Sequence, residues 1–207
     1  MISYLLIAAY LLLVILHLFL CLRPGQRRLL DGTKVMLMPV LLASVLSTGF
    51  CPPIVAAALL SGWLGDVLLL RPDQKPFFLG GLAAFLIGHL CYIPALMQLG
   101  EYQPAFSIPL AVVLLILGTA AYFSLHTHLP AGMRGPVIAY LLVILGMAYT
   151  AFHTRDLILA SGAVLFVLSD YTLARSLFIR RAKYSGFIIM LTYLVAQFLL
   201  AWGLCQL

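Results

Sequence analysis

Apolar runs of about 17 to 22 residues recur along the whole chain, each long enough to cross roughly 30 Å of hydrocarbon as a helix. That repetition fixes the fold class. A backbone inside lipid must satisfy its own amides, which only helices and closed barrels achieve, and unbroken apolar runs of this length select helices. Of the 207 residues 64% are hydrophobic and 9% charged, whereas a soluble domain carries roughly 25% charged residues. The expectation is an all-α, polytopic membrane helical bundle forming a single integral membrane domain over residues 1–207. The first run, YLLIAAYLLLVILHLFLCL, has no basic residue before it and a basic loop rather than a small-residue cleavage site after it. It reads as a retained span and not a signal peptide.

Breaks rich in Gly, Pro and charge predict eight transmembrane helices, at approximately 3–22, 34–49, 53–70, 77–97, 106–126, 136–153, 157–175 and 186–206. The breaks are RPGQRRLLDGT, TGFCPP, RPDQKP, QLGEYQP, HTHLPAGMRGP, the tight HTRD, and FIRRAKYS. Alternate loops then sort by charge. One side receives Arg23, Arg27, Arg28, Lys34, Arg71, Lys75, Arg134, Arg175, Arg180, Arg181 and Lys183, and the other only Arg155. Basic residues concentrate in cytoplasmic loops, so both termini are expected on the non-cytoplasmic side of the cell (inner) membrane. The net charge of +6 therefore reports topology and implies no nucleic-acid partner. The four cysteines, Cys21, Cys51, Cys91 and Cys205, are scattered without a CxxC pair. They read as packing residues rather than a disulfide framework or zinc cluster.

Two acids interrupt this apolar chain inside its spans. GDVLLLR (65–71) and SDYTLAR (169–175) each place a small residue before an Asp, a Leu three residues after it and an Arg five after it. A Ser-Gly pair precedes each, at 61–62 and 161–162. The two spans lie four helices apart and share a direction, the pattern of a parallel four-plus-four internal repeat. Asp66 and Asp170 each fall about 7 Å inside the cytoplasmic boundary marked by the following Arg, at 1.5 Å per residue. An acid there costs a few kcal/mol, and five residues is poor helical spacing for a direct ion pair with that Arg. Both therefore point to function.

Helical faces add candidates. Ala58, Gly62 and Asp66 form one small-residue stripe, and Gly80, Ala84 and Gly88 another, both suited to close helix approach. Phe85, His89 and Tyr92 share a third face. Lys34 opens the second span at a level similar to the acids. Ser169 and Tyr193 are candidate contacts to a ligand. A polar cavity opening toward the cytoplasmic leaflet would satisfy these groups together. His17 and His153 read as interfacial. No HExxH helix, other metal-ligand spacing or GxSxG elbow occurs, so no metal and no cofactor is expected.

Taken in order, TKVMLMPVL (33–41), GDVLLL (65–70), FFLGGLAAFLIGHLCYI (77–93) and GAVLFVLSD (162–170) resemble the YhhN-like family of eight-span membrane proteins, whose characterised members are lysoplasmalogenases. Val35 departs from the proline that follows the lysine in many relatives. The resemblance implies hydrolysis of the vinyl ether bond of a lysophospholipid, releasing a fatty aldehyde and a glycerophospho-ethanolamine or -choline. It carries catalytic roles onto Asp66, Asp170 and His89, and substrate contacts onto Lys34 and Tyr92. The chemistry suits paired acids. Protonating the β-carbon of an enol ether gives an oxocarbenium ion, so the reaction needs one carboxylic acid and one carboxylate, but no strong nucleophile. Two nearby Asp groups in a poorly hydrated cavity would share a proton; the sequence leaves open which is the acid. The competing reading is a proton-coupled transporter, which repeated halves with one buried acid each would also suit. Nothing in the sequence sets the oligomeric state or the headgroup preference.

Overall fold

Eight α-helices carry nearly the whole chain in the computed structural model, which describes residues 2–23 and 25–206. They are α1 (Ile2–Cys21), α2 (Arg27–Leu46), α3 (Pro53–Leu68), α4 (Lys75–Met97), α5 (Pro104–Leu125), α6 (Arg134–His153), α7 (Leu157–Phe178) and α8 (Ser185–Gln206). Among the described residues there is no strand, and a 3₁₀ turn at Ala131–Met133 leads into α6. Seven helices are long and apolar enough to cross a membrane; α3, at 16 residues, is shorter. The protein is a polytopic helical membrane bundle.

Most boundaries fall close to expectation, with two instructive differences. The segment RRLLDGT, read as loop, forms the first two turns of α2. Leu29 and Leu30 continue the helix and Arg27 pairs with Asp31 one turn on at 3.9 Å, so Gly32 is too little to break it. Pro24, in the same expected loop, lies outside the described residues. The other difference is α7, which runs through Arg175 to Phe178 because no Gly or Pro stops it.

The chain divides into two compact units, residues 1–95 with 200–207, and residues 96–199. In the first unit α1 packs on α2, and α2 on α3. Contact between α3 and α4 depends on missing side chains. A Cβ on Gly88 would stand 3.3 Å from the Ala58 carbonyl oxygen, and one on Gly65 would meet the Phe85 ring at 2.7 Å. The Gly88–Ala58 approach joins the two small-residue stripes expected from sequence, while Gly65, outside them, makes room for an aromatic ring.

Pro39 sits inside α2. It lacks the amide that would close on the Val35 carbonyl one turn back. The indole of Trp63, on α3, donates to that same oxygen at 3.0 Å, so the carbonyl left over in one helix is satisfied by its neighbour. At the far end of the unit the Cys205 thiol donates to Cys51 across 2.7 Å, and all four cysteines are free.

In the second unit α5, α6 and α7 pack together. The expected tight turn HTRD joins α6 to α7. Arg155 adopts φ 55°, and the Asp156 carboxylate caps α7 by accepting from the Ile158 and Leu159 amides at 2.7 and 3.0 Å. Arg155 pairs with Glu101 at 3.5 Å. His153 is not interfacial as expected but buried, with its ring nitrogens bonded to Ser107 Oγ at 2.7 Å and the Tyr149 carbonyl at 2.8 Å. It is a satisfied structural histidine.

Candidate active site

In the first unit the structure brings Lys34 and Asp66 together. Lys34 Nζ lies 3.3 Å from Asp66 Oδ1, with both side chains largely shielded. Lys34 is the eighth residue of α2 and not its opening residue, about 10 Å along the axis at 1.5 Å per residue. Asp66 stands two residues before the end of α3. Because the turn between α2 and α3 reverses the chain, the start of one helix meets the end of the other. An ammonium buried this far needs a counter-charge, and Asp66 supplies it.

The small residue ahead of Asp66 has a packing role, since Gly65 leaves the space that the Phe85 ring occupies. Phe85, His89 and Tyr92 are all buried on α4, so their shared face is turned inward. Tyr10 of α1 is also buried, within electrostatic reach of Asp66. His17, expected at the interface, is instead fully buried, with Nδ1 2.8 Å from Thr33 Oγ1. The Thr33 hydroxyl donates to the Leu30 carbonyl at 3.0 Å. The His17–Thr33 contact is therefore satisfied with the imidazole proton on Nδ1 and the hydroxyl oxygen accepting.

In the second unit Asp170 lies eight residues before the end of α7, deeper in its helix than Asp66 in α3. Its Oδ2 accepts from the Tyr140 hydroxyl of α6 at 2.6 Å. Ser169, just before it, is buried and donates to the Ile189 carbonyl of α8 at 3.1 Å. Tyr193 packs edge-to-face on Phe166, with centroids 5.6 Å apart, and accepts from Gln197 at 3.4 Å. Phe166 is one turn before Asp170, so Tyr193 faces the acid's stripe.

The surroundings of the two acids follow one plan with different chemistry. Asp66 on α3 takes a polar partner from the preceding helix α2, Lys34, and Asp170 on α7 takes one from the preceding helix α6, Tyr140. The residue before each acid meets the helix that follows, Gly65 at the Phe85 ring of α4 and Ser169 at the Ile189 carbonyl of α8. One partner is a cation and the other a neutral phenol. Tyr140 is the residue that sequence reasoning missed. It stands six residues after the boundary residue Arg134, about 9 Å deep at the helical rise, nearly level with the depth read for the acids. Among the described residues no group of three or more His, Cys, Asp or Glu side chains is gathered to hold a metal ion.

Comparison with known proteins bears on what this arrangement serves. The chain is 33% identical over 181 residues to the lysoplasmalogenase TMEM86B of Sus scrofa, covering 84% of this chain and 76% of that protein. It is 32% identical over 177 residues to the lysoplasmalogenase TMEM86B of Mus musculus, covering 83% and 72%. It is 33% identical over 151 residues to a lysoplasmalogenase of Mycobacterium tuberculosis (strain CDC 1551 / Oshkosh), covering 70% and 58%. No solved structure matches it. The profile of the YhhN family matches residues 29–204, a stretch that includes both acids and both of their partners, and the chain belongs to that family.

Proposed function

We propose that the protein is an intramembrane hydrolase that cleaves the vinyl ether bond of lysoplasmalogens, giving a fatty aldehyde and a glycerophospho-ethanolamine or -choline. The observation that carries the reading is the unequal pairing of the two motif acids, Asp66 with the Lys34 ammonium and Asp170 with the Tyr140 phenol, in a chain whose relatives are named lysoplasmalogenases.

Enol ether hydrolysis needs two acids in opposite states, and the unequal pairing supports one allocation of those states. Asp170, held by a neutral donor on Oδ2, is the acid that delivers a proton to the β-carbon of the vinyl ether. The C=C π electrons form the new C–H bond, and the positive charge develops on the α-carbon and ether oxygen. Asp66, already the anion of an ion pair, is the carboxylate that stabilises this oxocarbenium ion and takes a proton from the attacking water. The hemiacetal then collapses: Asp66 gives its proton to the glycerol oxygen as the C–O bond breaks, and Asp170 takes the hemiacetal hydroxyl proton as the aldehyde forms, which restores both acids. Overall one water is consumed. His89 and Tyr92 orient the carboxylate or the water, Ser169 and Tyr193 fix the surroundings of Asp170, and Lys34 has ammonium protons left to meet the substrate phosphate. The charge distribution of the loops supports termini outside the cytoplasm and a site toward the cytoplasmic leaflet.

The deciding experiment offers purified protein in detergent a panel of enol ether, alkyl ether and acyl lysolipids. Aldehyde is expected from the enol ether alone. Turnover without a sealed compartment separates an enzyme from a transporter, and no aldehyde from any enol ether lysolipid would refute the reading. Tyr140→Phe tests the assignment of the acid. Losing a hydrogen bond between two neutral groups costs about 0.5–1.5 kcal/mol, so the variant is expected to fold and to lose roughly two- to tenfold in rate. Wild-type turnover by that variant would remove Asp170 from the role of positioned acid.

A further inference from the structure

An apolar cleft of about 290 Å³ runs between α2 and α3 in the first unit. Met38, Leu42 and Leu46 line it from one helix, Leu59 and Trp63 from the other, and no wall residue brings a charge. The indole N–H of Trp63 is already committed to Val35, so the wall offers hydrocarbon and an aromatic face.

The register of the two helices ties this cleft to the ion pair. Lys34, Met38, Leu42 and Leu46 follow one another at steps of four, so one stripe of α2 carries first the ammonium and then the cleft wall. On α3, which runs the other way, Leu59 and Asp66 are seven residues apart and share a face. The cleft runs from Met38 to Leu46, about 12 Å at the helical rise, and the Lys34–Asp66 pair lies one helical turn beyond its Met38 end. Its mouth is flanked by Leu46 and Leu60, 52% and 50% exposed, and by the exposed Ala43.

We infer that this cleft is the hydrocarbon-chain site of the enzyme. It takes the single chain of a lysolipid sideways from the bilayer and sets the polar end of that chain at Lys34 and Asp66. The inference rests on the lysolipid reading above and adds where the tail lies. An apolar cleft with a buried ion pair one turn beyond its end, on the same helix stripes, matches an amphiphile with one tail, oriented head to the charges. A lipid merely coating the bundle would meet no charge at a fixed depth. The vinyl ether is the first bond of that tail, so a chain seated here presents it beside Asp66.

Two measurements test this. A non-hydrolysable alkyl ether lysolipid with a photoactivatable diazirine in its tail, irradiated with the wild-type protein in mixed micelles, is expected to label residues 38–46 and 59–63. Label spread evenly over lipid-exposed helices, including Leu115 of α5, or a crosslink there to a second copy of this chain, overturns the site. Labelling needs no turnover, so a protein that labels at the cleft yet releases no aldehyde keeps the site and loses the hydrolase reading. The second measurement uses Ala43→Trp combined with Leu60→Trp to fill the mouth. The ratio of kcat/KM for a long-chain over a short-chain enol ether lysolipid is expected to fall at least tenfold, while Leu115→Trp leaves it unchanged. A ratio unaltered in the filled variant overturns the site.

Discussion

Asp66→Asn and Asp170→Asn are each expected to leave less than a tenth of the wild-type aldehyde release, a barrier increase of more than about 1.4 kcal/mol. Both changes keep shape and hydrogen-bonding capacity while removing the ability to exchange a proton. In Asp170→Asn the Tyr140 phenol still has an oxygen to donate to, so the helix contact survives while the proton donor is gone. In Asp66→Asn the oxocarbenium ion loses its counter-charge and the water its base. Turnover assays on purified variants, with circular dichroism and thermal melting to verify folding, provide the check. Either variant keeping more than a tenth of the rate would end the two-acid mechanism.

The second large effect concerns stability. Lys34→Met is expected to lower it by about 3–5 kcal/mol, because removing one member of a buried ion pair leaves the other charge uncompensated. The carboxylate left behind, Asp66, is only 3% exposed. Adding Asp66→Asn to Lys34→Met takes that charge away and is expected to recover much of the loss. The double-mutant cycle should therefore show a coupling well above the 0.2–1 kcal/mol or so of a surface pair. Thermal melts of the four proteins in one detergent measure it. Additive losses would mean that the 3.3 Å contact contributes nothing specific. The corresponding loss for Tyr140→Phe is expected to be smaller, since a neutral phenol leaves no orphaned charge.

The helical bundle was legible because its cause is compositional. Apolar runs separated by Pro, Gly and charge admit few other folds, and helix ends landed near their breaks wherever proline marked them, as at Pro53 and Pro104. Expectation slipped where only charge marked the end. Basic residues beside lipid do not stop a helix, so α2 started early at Arg27 and α7 ran past Arg175. The acids announced themselves by cost, since an Asp in an apolar span needs a reason. Their partners did not. Lys34 was visible as a charge, but its pairing with Asp66 depends on the antiparallel return of α3, which no local pattern encodes. Tyr140 lay in VIAYLLVIL (137–145), apolar surroundings where a tyrosine costs little, and only its depth distinguished it. His17 and His153 were misplaced for the same reason. An imidazole near a span end can face headgroups or turn inward, and Thr33 and Ser107, which fix the outcome, lie on other helices.

The proline in α2 has a consequence that runs against the usual view of helix breakers. With Pro39 in place, the Val35 oxygen has no suitor within its own helix, and the indole across the groove holds it unopposed. Pro39→Ala would reinstate an internal amide and make the two donors rivals for one acceptor. The helix would gain regularity while its grip on α3 weakened. A residue that disrupts one element here acts as a fastener between two, at the wall against which the proposed lipid chain rests.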